Sequence, residues 1–494
     1  MARSDPGDAS DSPGGEPAAL DLEAFRRHGH ALVDWIADYL AGLDDRPVRE
    51  PVEPGDIRAR LPAAPPERPE PFDELLADLD RVVVPGLSHW QHPGWYAYFP
   101  AMSSPPAVLG ELAAAGLGVQ GMLWSTSPAV TEIEAHVLDW LVDACGLPEH
   151  WKTTGPGGGV IQMSASDSTH TALVVARERT RRLTGAPAES QVVYASAESH
   201  SSVTKGARVA GFGEVRPVAV DATFALDPDA LAAAVESDRR AGLVPSVVCS
   251  TIGTTGTTAV DPVAAVAEIA RTHDMWHHVD AAYAGSAMIC PEFRHHLAGV
   301  EAVDSYTFNP HKWLATNFDC SVFWVADRRP LIETLSIVPP YLRDAASASG
   351  RVIDYRDWHV PLGRRFRALK LWWVLRSFGL EGLRSLLRRH VGWARDLAGR
   401  IDGHPHLETI APTPFALVSF RHLAGDAATR ALVERINASG RAYLTGSEID
   451  GRAYVRVSIG STWTTARHVD ELWELIDTTA LSLATPTADG DDHA

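Results

Sequence analysis

The sequence predicts an α/β protein with a mostly parallel central sheet and helices on both faces. Short apolar runs typical of strands alternate with helical segments through the middle of the chain, as in consecutive βαβ units. The predicted strands are 159–162, 191–195, 243–249, 276–279, 305–308 and 320–325, with helices such as 169–182 and 262–271 between them. The chain has 494 residues, 45% of them hydrophobic. Such a length is sufficient for two or three domains with a large buried core.

The N-terminal part of the chain differs in composition from the middle. Residues 1–19, like residues 485–494 at the other end, have the polar composition of disordered tails. From Leu20 to Leu43 apolar residues recur at helical spacing, and a proline-rich stretch follows at 47–71. We therefore predict an N-terminal helical segment, 20–104, whose extended arm wraps a partner subunit.

The remaining chain divides into two predicted domains. Residues 105–369 contain the alternating strands and helices and are predicted to form the large domain. A long helix from about 367 to 390 precedes two strand-like segments, 415–420 and 453–459, with a helix at 427–439 between them. Residues 370–484 are therefore predicted to form a smaller α+β domain.

Charge and cysteine content exclude several classes of protein. The formal net charge of −19 disfavours binding to nucleic acid or to an anionic membrane. No stretch of the sequence approaches the eighteen or so apolar residues of a membrane span. The four cysteines lie far apart and form no C-x-x-C pair, so neither a disulfide framework nor a metal site is predicted. We expect a cytoplasmic protein whose partners are small molecules and other protein chains.

Lys312 is one of only four lysines, the others being Lys152, Lys205 and Lys370, although lysine and arginine together number 44. A lysine in an apolar setting can lose its proton or form a Schiff base, whereas arginine can do neither. A compositional bias towards arginine would explain the same scarcity. The rarity of lysine alone therefore leaves both interpretations open.

Polar residues of types that bind ligands or take part in catalysis follow several predicted strands. Asp280 comes directly after 276–279, His200 follows 191–195, and Thr255 follows 243–249. The run 164–166 (Ser-Ala-Ser) opens a predicted helix, where free backbone N–H groups bind a phosphate. Each residue alone could be an ordinary turn or cap residue. Together with the Lys312 amine, they are the groups that a pyridoxal phosphate enzyme requires.

Longer runs closely resemble the aromatic L-amino-acid decarboxylase family. They include 278–286 (HVDAAYAGS), 289–294 (ICPEFR), 308–313 (FNPHKW), 317–321 (NFDCS) and 361–367 (PLGRRFR), and the similarity extends over about residues 20–480. This family belongs to the group II pyridoxal-phosphate-dependent decarboxylases, which have fold type I, the aspartate-aminotransferase-like architecture. The resemblance implies pyridoxal 5'-phosphate as cofactor, an amino acid substrate, and a homodimer with the active site at the subunit interface.

The resemblance also implies roles for individual residues. Lys312 would bind the cofactor aldehyde covalently, Asp280 would pair with the pyridine nitrogen, and His200 would stack on the pyridine ring and contact the substrate. A satisfied structural histidine is the alternative for His200. The residues expected to hold the phosphate or frame the cofactor are Ser164, Ala165, Ser166, Thr255, Asn309 and His311.

The expected reaction is decarboxylation of an aromatic L-amino acid to its amine and CO2. In the family, the tyrosine that corresponds to Tyr341 donates the proton that replaces the carboxylate, and a phenylalanine there accompanies aldehyde formation. Tyr341 also precedes a polar stretch of small residues that is typical of a mobile lid. Tyr341 and His200 together favour the amine product, although an ordinary surface tyrosine is the alternative.

The sequence predicts the substrate less specifically than it predicts the reaction. Tyr98, Phe99 and Trp124 suggest an aromatic wall, whereas Ala101 stands where animal relatives commonly have threonine, and residues 120–124 also depart from those relatives. Tryptophan, tyrosine, phenylalanine and dihydroxyphenylalanine therefore cannot be ranked. Three alternatives remain from sequence: an aromatic aldehyde synthase, a decarboxylase of a non-aromatic amino acid, and a non-catalytic cofactor-binding regulator.

Overall fold

A seven-stranded sheet lies at the centre of the larger part of the protein. The computed structural model describes residues 20–337, 345–348 and 351–484. It divides into two compact units, Met1–His89 and Trp90–Ala494. The domain bounds derived from sequence stay predictions.

The first unit is helical. Its helices are α1 (Leu22–Ala41), α2 (Asp56–Arg60) and α3 (Phe72–Asp78). The predicted amphipathic helix is present as α1, which begins where the Asp21 carboxylate accepts a hydrogen bond from the backbone N–H of Glu23 and ends at Gly42. No residue of α1 is buried. Its apolar residues Leu22, Phe25 and Val33 are exposed.

The second unit contains the large sheet. Its strands are β1 (Gly158–Gln162), β2 (Gln191–Ser196), β3 (Glu214–Val218), β4 (Val244–Thr251), β5 (Trp276–Asp280), β6 (Ser305–Phe308) and β7 (Ser321–Val325). Their spatial order is β1-β7-β6-β5-β4-β2-β3. Strand β7 is antiparallel to both neighbours, and the other pairs are parallel. The predicted mostly parallel sheet is therefore confirmed.

Helices cover both faces of this sheet. They are α4 (Pro105–Leu117), α5 (Pro128–Cys145), α6 (Ala165–Thr184), α7 (Ser202–Ala210), α8 (Pro228–Arg240), α9 (Val263–Thr272), α10 (Pro310–Trp313), α11 (Arg329–Leu335) and α12 (Ala345–Ala348). Val193 and Ala195 of β2 pack with residues of α6 and α7, whereas Val192 and Tyr194 pack with residues of α8 and α9. Because successive side chains of a strand point to opposite faces, both faces are buried.

A second, antiparallel sheet follows the long helix α13 (Arg367–Asp402). Its strands are β8 (Leu407–Thr409), β9 (Leu417–His422), β10 (Thr445–Ile449) and β11 (Arg452–Ser458), in the order β10-β11-β9-β8, with helices α14 (Asp426–Ala438) and α15 (Ala466–Ala484). The prediction that the long helix ends near His390 is wrong, because α13 continues to Asp402. Helical geometry is interrupted inside it only at Gly379, whose φ is 62°.

Two further properties concern the cysteines and the length and polarity of the helices. Cys145, Cys249, Cys290 and Cys320 are all buried and free. Within the described ranges, no helix is both long enough and apolar enough to cross a membrane.

Candidate active site

Asp280 lies at the carboxyl end of β5, in the middle of the large sheet. It pairs in register with Thr251 of β4 and with Thr307 of β6. Only 4% of its surface is exposed, and its carboxylate accepts a 2.9 Å hydrogen bond from the backbone N–H of Ala282. In parallel sheets ligands bind beyond the carboxyl ends of the strands, so Asp280 stands where a ligand is expected.

Lys312 belongs to the short helix α10, which directly follows β6. Its backbone N–H donates to the carbonyl of Asn309. Burial lowers the pKa of the Lys312 amine below its ordinary value, Asp280 opposes this effect, and the positive charge of Arg456 adds to it. A lysine whose pKa is lowered has a larger fraction of neutral amine, which is the nucleophilic form.

His200 lies between β2 and α7. Its Nδ1 accepts hydrogen bonds from the backbone N–H of Ser202 at 3.1 Å and from the Ser202 hydroxyl at 2.8 Å. These bonds fix the tautomer with hydrogen on Nε2. Burial lowers the pKa of His200, Asp280 opposes that effect, and Lys312 adds to it. Since the charges of both residues act on the imidazole, His200, Asp280 and Lys312 form one site.

The start of α6 supplies a cradle of backbone N–H groups. Ser164 is the N-cap residue, and its hydroxyl accepts a 3.2 Å hydrogen bond from the backbone N–H of Asp167. Ala165 and Ser166 form the first turn, and Ser166 is exposed. The positive end of a 20-residue helix, with free N–H groups in its first turn, suits a phosphate.

Asn309 provides an independent indication of a polar ligand. It is 2% exposed, and its amide oxygen has no hydrogen-bond partner in the part of the chain that the structure describes. A buried amide without a partner is destabilising by about 1–3 kcal/mol. A half turn of the amide presents either its oxygen or its NH2 group, so Asn309 can bind the polar periphery of a cofactor.

The loop after β4 holds Thr255 beside the carboxyl ends of the strands. Gly253 has a φ of +84°, and an added Cβ there would lie 2.7 Å from the Cβ of Ala284. The carboxylate of Asp261 accepts backbone hydrogen bonds from Thr251 at 2.7 Å and from Leu226 at 2.8 Å. The loop is thus fixed from both sides, while Thr255 itself is only partly buried.

His311 is engaged with the protein chain. Its Nδ1 accepts a 2.9 Å hydrogen bond from the backbone N–H of Cys320, and its ring lies 4.6 Å from that of Phe318. Burial lowers the pKa of His311 to about 3, so the ring is neutral. Only Nε2 is left for a ligand, and the Cys320 bond makes His311 a support of α10.

An aromatic stack forms one wall beside Lys312. The Phe99 ring stacks on Tyr283 at 4.1 Å, and Tyr283 stacks on Trp313 at 4.7 Å. The Lys312 amine lies 5.2 Å from the centre of the Phe99 ring. The structure therefore places Phe99 beside Lys312, and its role as a substrate residue stays a prediction.

The other predicted substrate residues lie in different surroundings. Tyr98 is 51% exposed with a φ of 56°, and its ring lies 5.6 Å from that of Trp90. Trp124 donates from its indole N–H to Glu132 at 2.8 Å. The carbonyl of Ala101 accepts a hydrogen bond from the Gln91 amide. Tyr341 lies outside the described residues.

Arg456 of β11 is a site residue that the sequence analysis missed. It is 5% exposed, its guanidinium carbon lies 5.2 Å from the centre of the Phe99 ring, and it donates to the Tyr98 carbonyl at 3.4 Å. Among the described residues it forms no ion pair, and its Nε has no partner. A buried cation without a carboxylate suits an anionic ligand. The available signal was a single charge inside the alternating, mostly apolar segment 453–459.

Known proteins resemble this chain over most of its length. The profile described as the pyridoxal-dependent decarboxylase conserved domain matches residues 54–423. The phenylacetaldehyde synthase of Arabidopsis thaliana is 43% identical over 92% of this chain and 96% of its own. Tryptophan decarboxylase 2 of Oryza sativa subsp. japonica is 42% identical over 92% of this chain and 94% of its own.

A solved structure agrees with the same assignment. The crystal structure of an Oryza sativa TDC with PLP and tryptamine superposes with a TM-score of 0.93 and 41% identity, covering 95% of this chain and 100% of the other. The buried Asn309 amide, the start of α6 and the desolvated Lys312 amine, whose pKa is lowered, fit pyridoxal phosphate as cofactor. The chain therefore belongs to the pyridoxal-dependent decarboxylase family and, within it, to the aromatic L-amino-acid decarboxylases.

Proposed function

We propose that this enzyme decarboxylates an aromatic L-amino acid of the tryptophan, tyrosine, phenylalanine or dihydroxyphenylalanine type, with release of the amine and CO2. The observation that carries the proposal is the proximity of a desolvated amine, a buried carboxylate and an aromatic wall at Lys312, Asp280 and Phe99. Relatives named tryptophan decarboxylase and phenylacetaldehyde synthase support an aromatic side chain.

The residues of the site divide the work between holding the cofactor and holding the substrate. Pyridoxal phosphate supplies an aldehyde and an electron-accepting pyridine ring when it is bound. Lys312 binds the aldehyde, the Asp280 carboxylate holds a proton on the pyridine nitrogen, and the N–H groups at the start of α6 bind the phosphate. The buried carboxylate of Asp280 thereby keeps the ring in its electron-accepting form.

One cationic group and one polar group are suited to bind the amino acid substrate. Arg456 is a buried cation without an ion-pair partner in the described part of the chain, and it attracts the carboxylate of the entering amino acid. His200 presents its Nε2–H, because its Nδ1 is bonded to Ser202. The predicted proton donor, Tyr341, stays a prediction because it lies outside the described residues.

A homodimer is part of the proposal. Helix α1 buries none of its residues, and its apolar side chains Leu22 and Phe25 are 75% and 65% exposed. On the second unit, α4 exposes Leu109, Leu112 and Leu117. Exposed apolar residues clustered on a helix are typical of protein interfaces. A second copy of the chain that covers these helices agrees with the interface expected from sequence.

The free, buried cysteines support the expected cytoplasmic location.

The experiment is a product assay on the purified holoenzyme. Each of the four aromatic acids is supplied separately, and amine, CO2, aldehyde, ammonia and hydrogen peroxide are quantified. We expect one amine and one CO2 for each molecule of the preferred acid consumed, without peroxide. The variant Lys312→Ala is the control for chemistry that does not need the site.

Aldehyde synthesis is the second candidate, favoured by the 43% identity to a phenylacetaldehyde synthase. That reaction consumes O2 and water and releases aldehyde, CO2, ammonia and hydrogen peroxide. Equal amounts of aldehyde and peroxide from the wild-type enzyme would replace the amine proposal. Amine released only from a non-aromatic acid such as glutamate would refute the proposed side-chain class.

A further inference from the structure

Glu134 of α5 and Arg364 form an ion pair that is buried inside the second unit. Glu134 is 0% and Arg364 3% exposed. Nη2 of Arg364 donates to Oε1 of Glu134 at 2.5 Å, and the guanidinium stacks 4.5 Å from the centre of the Tyr355 ring. Within the described ranges, neither residue forms a hydrogen bond or ion pair with Lys312, Asp280 or His200, so any influence on these groups must pass through the backbone that the pair holds.

One side of the pair holds the edge strand of the large sheet. In the part of the chain that the structure describes, strand β1 pairs only with β7, and its other edge has no neighbouring strand there. The backbone N–H of Ile161 donates to Oε1 of Glu134 at 2.8 Å, and the Ile161 carbonyl accepts from Nη2 of Arg364 at 3.2 Å. The ion pair therefore takes the place of a neighbouring strand just before the phosphate cradle at Ser164.

The other side of the pair holds the loop 120–124. Nη1 of Arg364 donates to the Gly121 carbonyl at 3.5 Å. The Arg364 main chain adds two bonds, since its N–H donates to the Gln120 amide oxygen at 2.9 Å and its carbonyl accepts from the N–H of Gly121 at 3.1 Å. Gly121 also packs closely on α5, since an added Cβ would lie 2.6 Å from Val130. This loop carries Trp124, one of the predicted substrate residues.

The pair is poorly suited to a purely stabilising role. Oε2 of Glu134 and Nε of Arg364 have no hydrogen-bond partner among the described residues. Desolvation of two charges with incomplete hydrogen bonding often cancels their attraction, and apolar residues of similar volume can replace such pairs without loss of stability. The bonds from these two side chains to the backbone of Ile161 and Gly121 are what an apolar pair could not reproduce.

We propose that Glu134 and Arg364 are positioning residues that fix the phosphate cradle and the loop 120–124 relative to each other, and that they thereby set cofactor affinity and discrimination between aromatic side chains. The part of this inference that concerns discrimination between side chains rests on the proposed function. The part that concerns cofactor affinity does not depend on which acid is decarboxylated.

The test compares two single variants, Glu134→Leu and Arg364→Met, with the double variant that carries both. Each single variant leaves a buried unpaired charge and should lower the melting temperature, whereas the double variant should recover most of it. The double variant should still bind pyridoxal phosphate about tenfold more weakly in a titration of the apoenzyme and should change the ratio of KM values for L-tryptophan and L-tyrosine, with a smaller change in kcat.

The control removes another ion pair, Asp238 with Arg216, through Asp238→Leu and Arg216→Met; Asp238 is buried, whereas Arg216 is partly exposed. Arg216 donates to Asp238 from two nitrogens, at the edge of the sheet formed by β3. This double variant should leave cofactor affinity and KM ratios unchanged. If the Glu134 and Arg364 double variant also leaves them unchanged, the pair is only structural and the inference is wrong.

A conservative variant covers the case in which the apolar double variant does not fold. Arg364→Lys keeps the charge beside Glu134 but cannot bond Glu134, the Ile161 carbonyl and Gly121 together. Weaker cofactor binding in this variant supports the inference, and wild-type affinity overturns it. If the wild-type enzyme releases no amine from any aromatic acid, the proposed function fails, while the cofactor titration still decides the positioning role.

Discussion

The amine of Lys312 lies 5.2 Å from the centre of the Phe99 ring, and the guanidinium carbon of Arg456 lies at the same distance from that ring. Attraction between a cation and a ring is worth about 0.5–2 kcal/mol and would favour a protonated lysine. Burial acts in the opposite direction, and so does the fixed charge of Arg456, so the pKa of Lys312 is lowered. Desolvation therefore dominates, and the site increases the fraction of neutral amine, which is the nucleophilic form.

Borohydride reduction of the holoenzyme should fix the cofactor on Lys312 and on no other lysine. The buried amine has a lowered pKa, whereas Lys152 is held in ion pairs with Asp143 and Glu149. Peptide mass spectrometry identifies the labelled residue. Lys312→Ala should abolish labelling and lower kcat at least about a hundredfold. Label on Lys205 in the wild-type enzyme would contradict the assignment.

Gly253→Ala should weaken cofactor binding by more than backbone strain explains. The positive φ costs an alanine about 1–2 kcal/mol, and the added Cβ would also lie 2.7 Å from Ala284, so the loop that carries Thr255 must shift. Titration of the apoenzyme with pyridoxal phosphate measures the effect. Gly185→Ala is the control, because Gly185 has a φ of +76° and open space around it. Equal losses of affinity in both variants would refute a role of the loop.

Phe99→Leu should raise KM for the preferred aromatic acid about fivefold, the equivalent of about 1 kcal/mol of lost ring contact. The ring is held in place by stacking on Tyr283 at 4.1 Å, so a leucine removes a rigid aromatic surface beside the Lys312 amine. Steady-state kinetics gives KM, and Phe420→Leu in the core of β9 is the control for general loss of packing. A KM that changes equally in both variants would exclude Phe99 as a substrate contact.

The positions of Asp280 and Lys312 at the candidate site were easier to predict from the sequence than those of the residues around them. Asp280 and Lys312 were predictable because each follows a buried strand and belongs to a long, ordered family resemblance. Arg456 was not, because a single charge in an alternating segment is usually solvent-exposed, and only the tertiary structure buries it against Phe99. Strands β3, β8 and β10 were missed for a related reason. All three are edge strands with polar residues, β3 contains Pro217, and β8 has only three residues, so none has an apolar strand pattern.

Acid should destabilise the protein through its buried neutral histidines. Burial lowers the pKa of His277, His311 and His390 to about 3 and that of His278 to about 4. An unfolded histidine has a pKa near 6.5, so between pH 6.5 and 4 the unfolded chain binds more protons than the folded one. Each such histidine therefore removes about 1.4 kcal/mol of stability for every unit that the pH falls in this window.

Two buried carboxyl groups act in the opposite direction. Burial raises the pKa of Asp261 to about 7 and of Asp304 to about 6, so their contributions increase as the pH falls. Four histidines outweigh two carboxyl groups, and the free energy of unfolding should decrease from pH 7 to pH 5. Denaturant unfolding at several pH values measures this slope.

His390→Gln isolates one of these histidines. Nδ1 of His390 accepts a 3.0 Å hydrogen bond from the indole N–H of Trp313, next to Lys312. A glutamine can accept this bond through its side-chain oxygen but does not titrate, so the variant should lose stability less steeply with falling pH than the wild-type protein. His390→Leu removes the acceptor as well, leaves the Trp313 N–H buried without a partner, and should cost about 1–3 kcal/mol at pH 7. An unchanged pH slope in His390→Gln would show that His390 is not neutral in the fold.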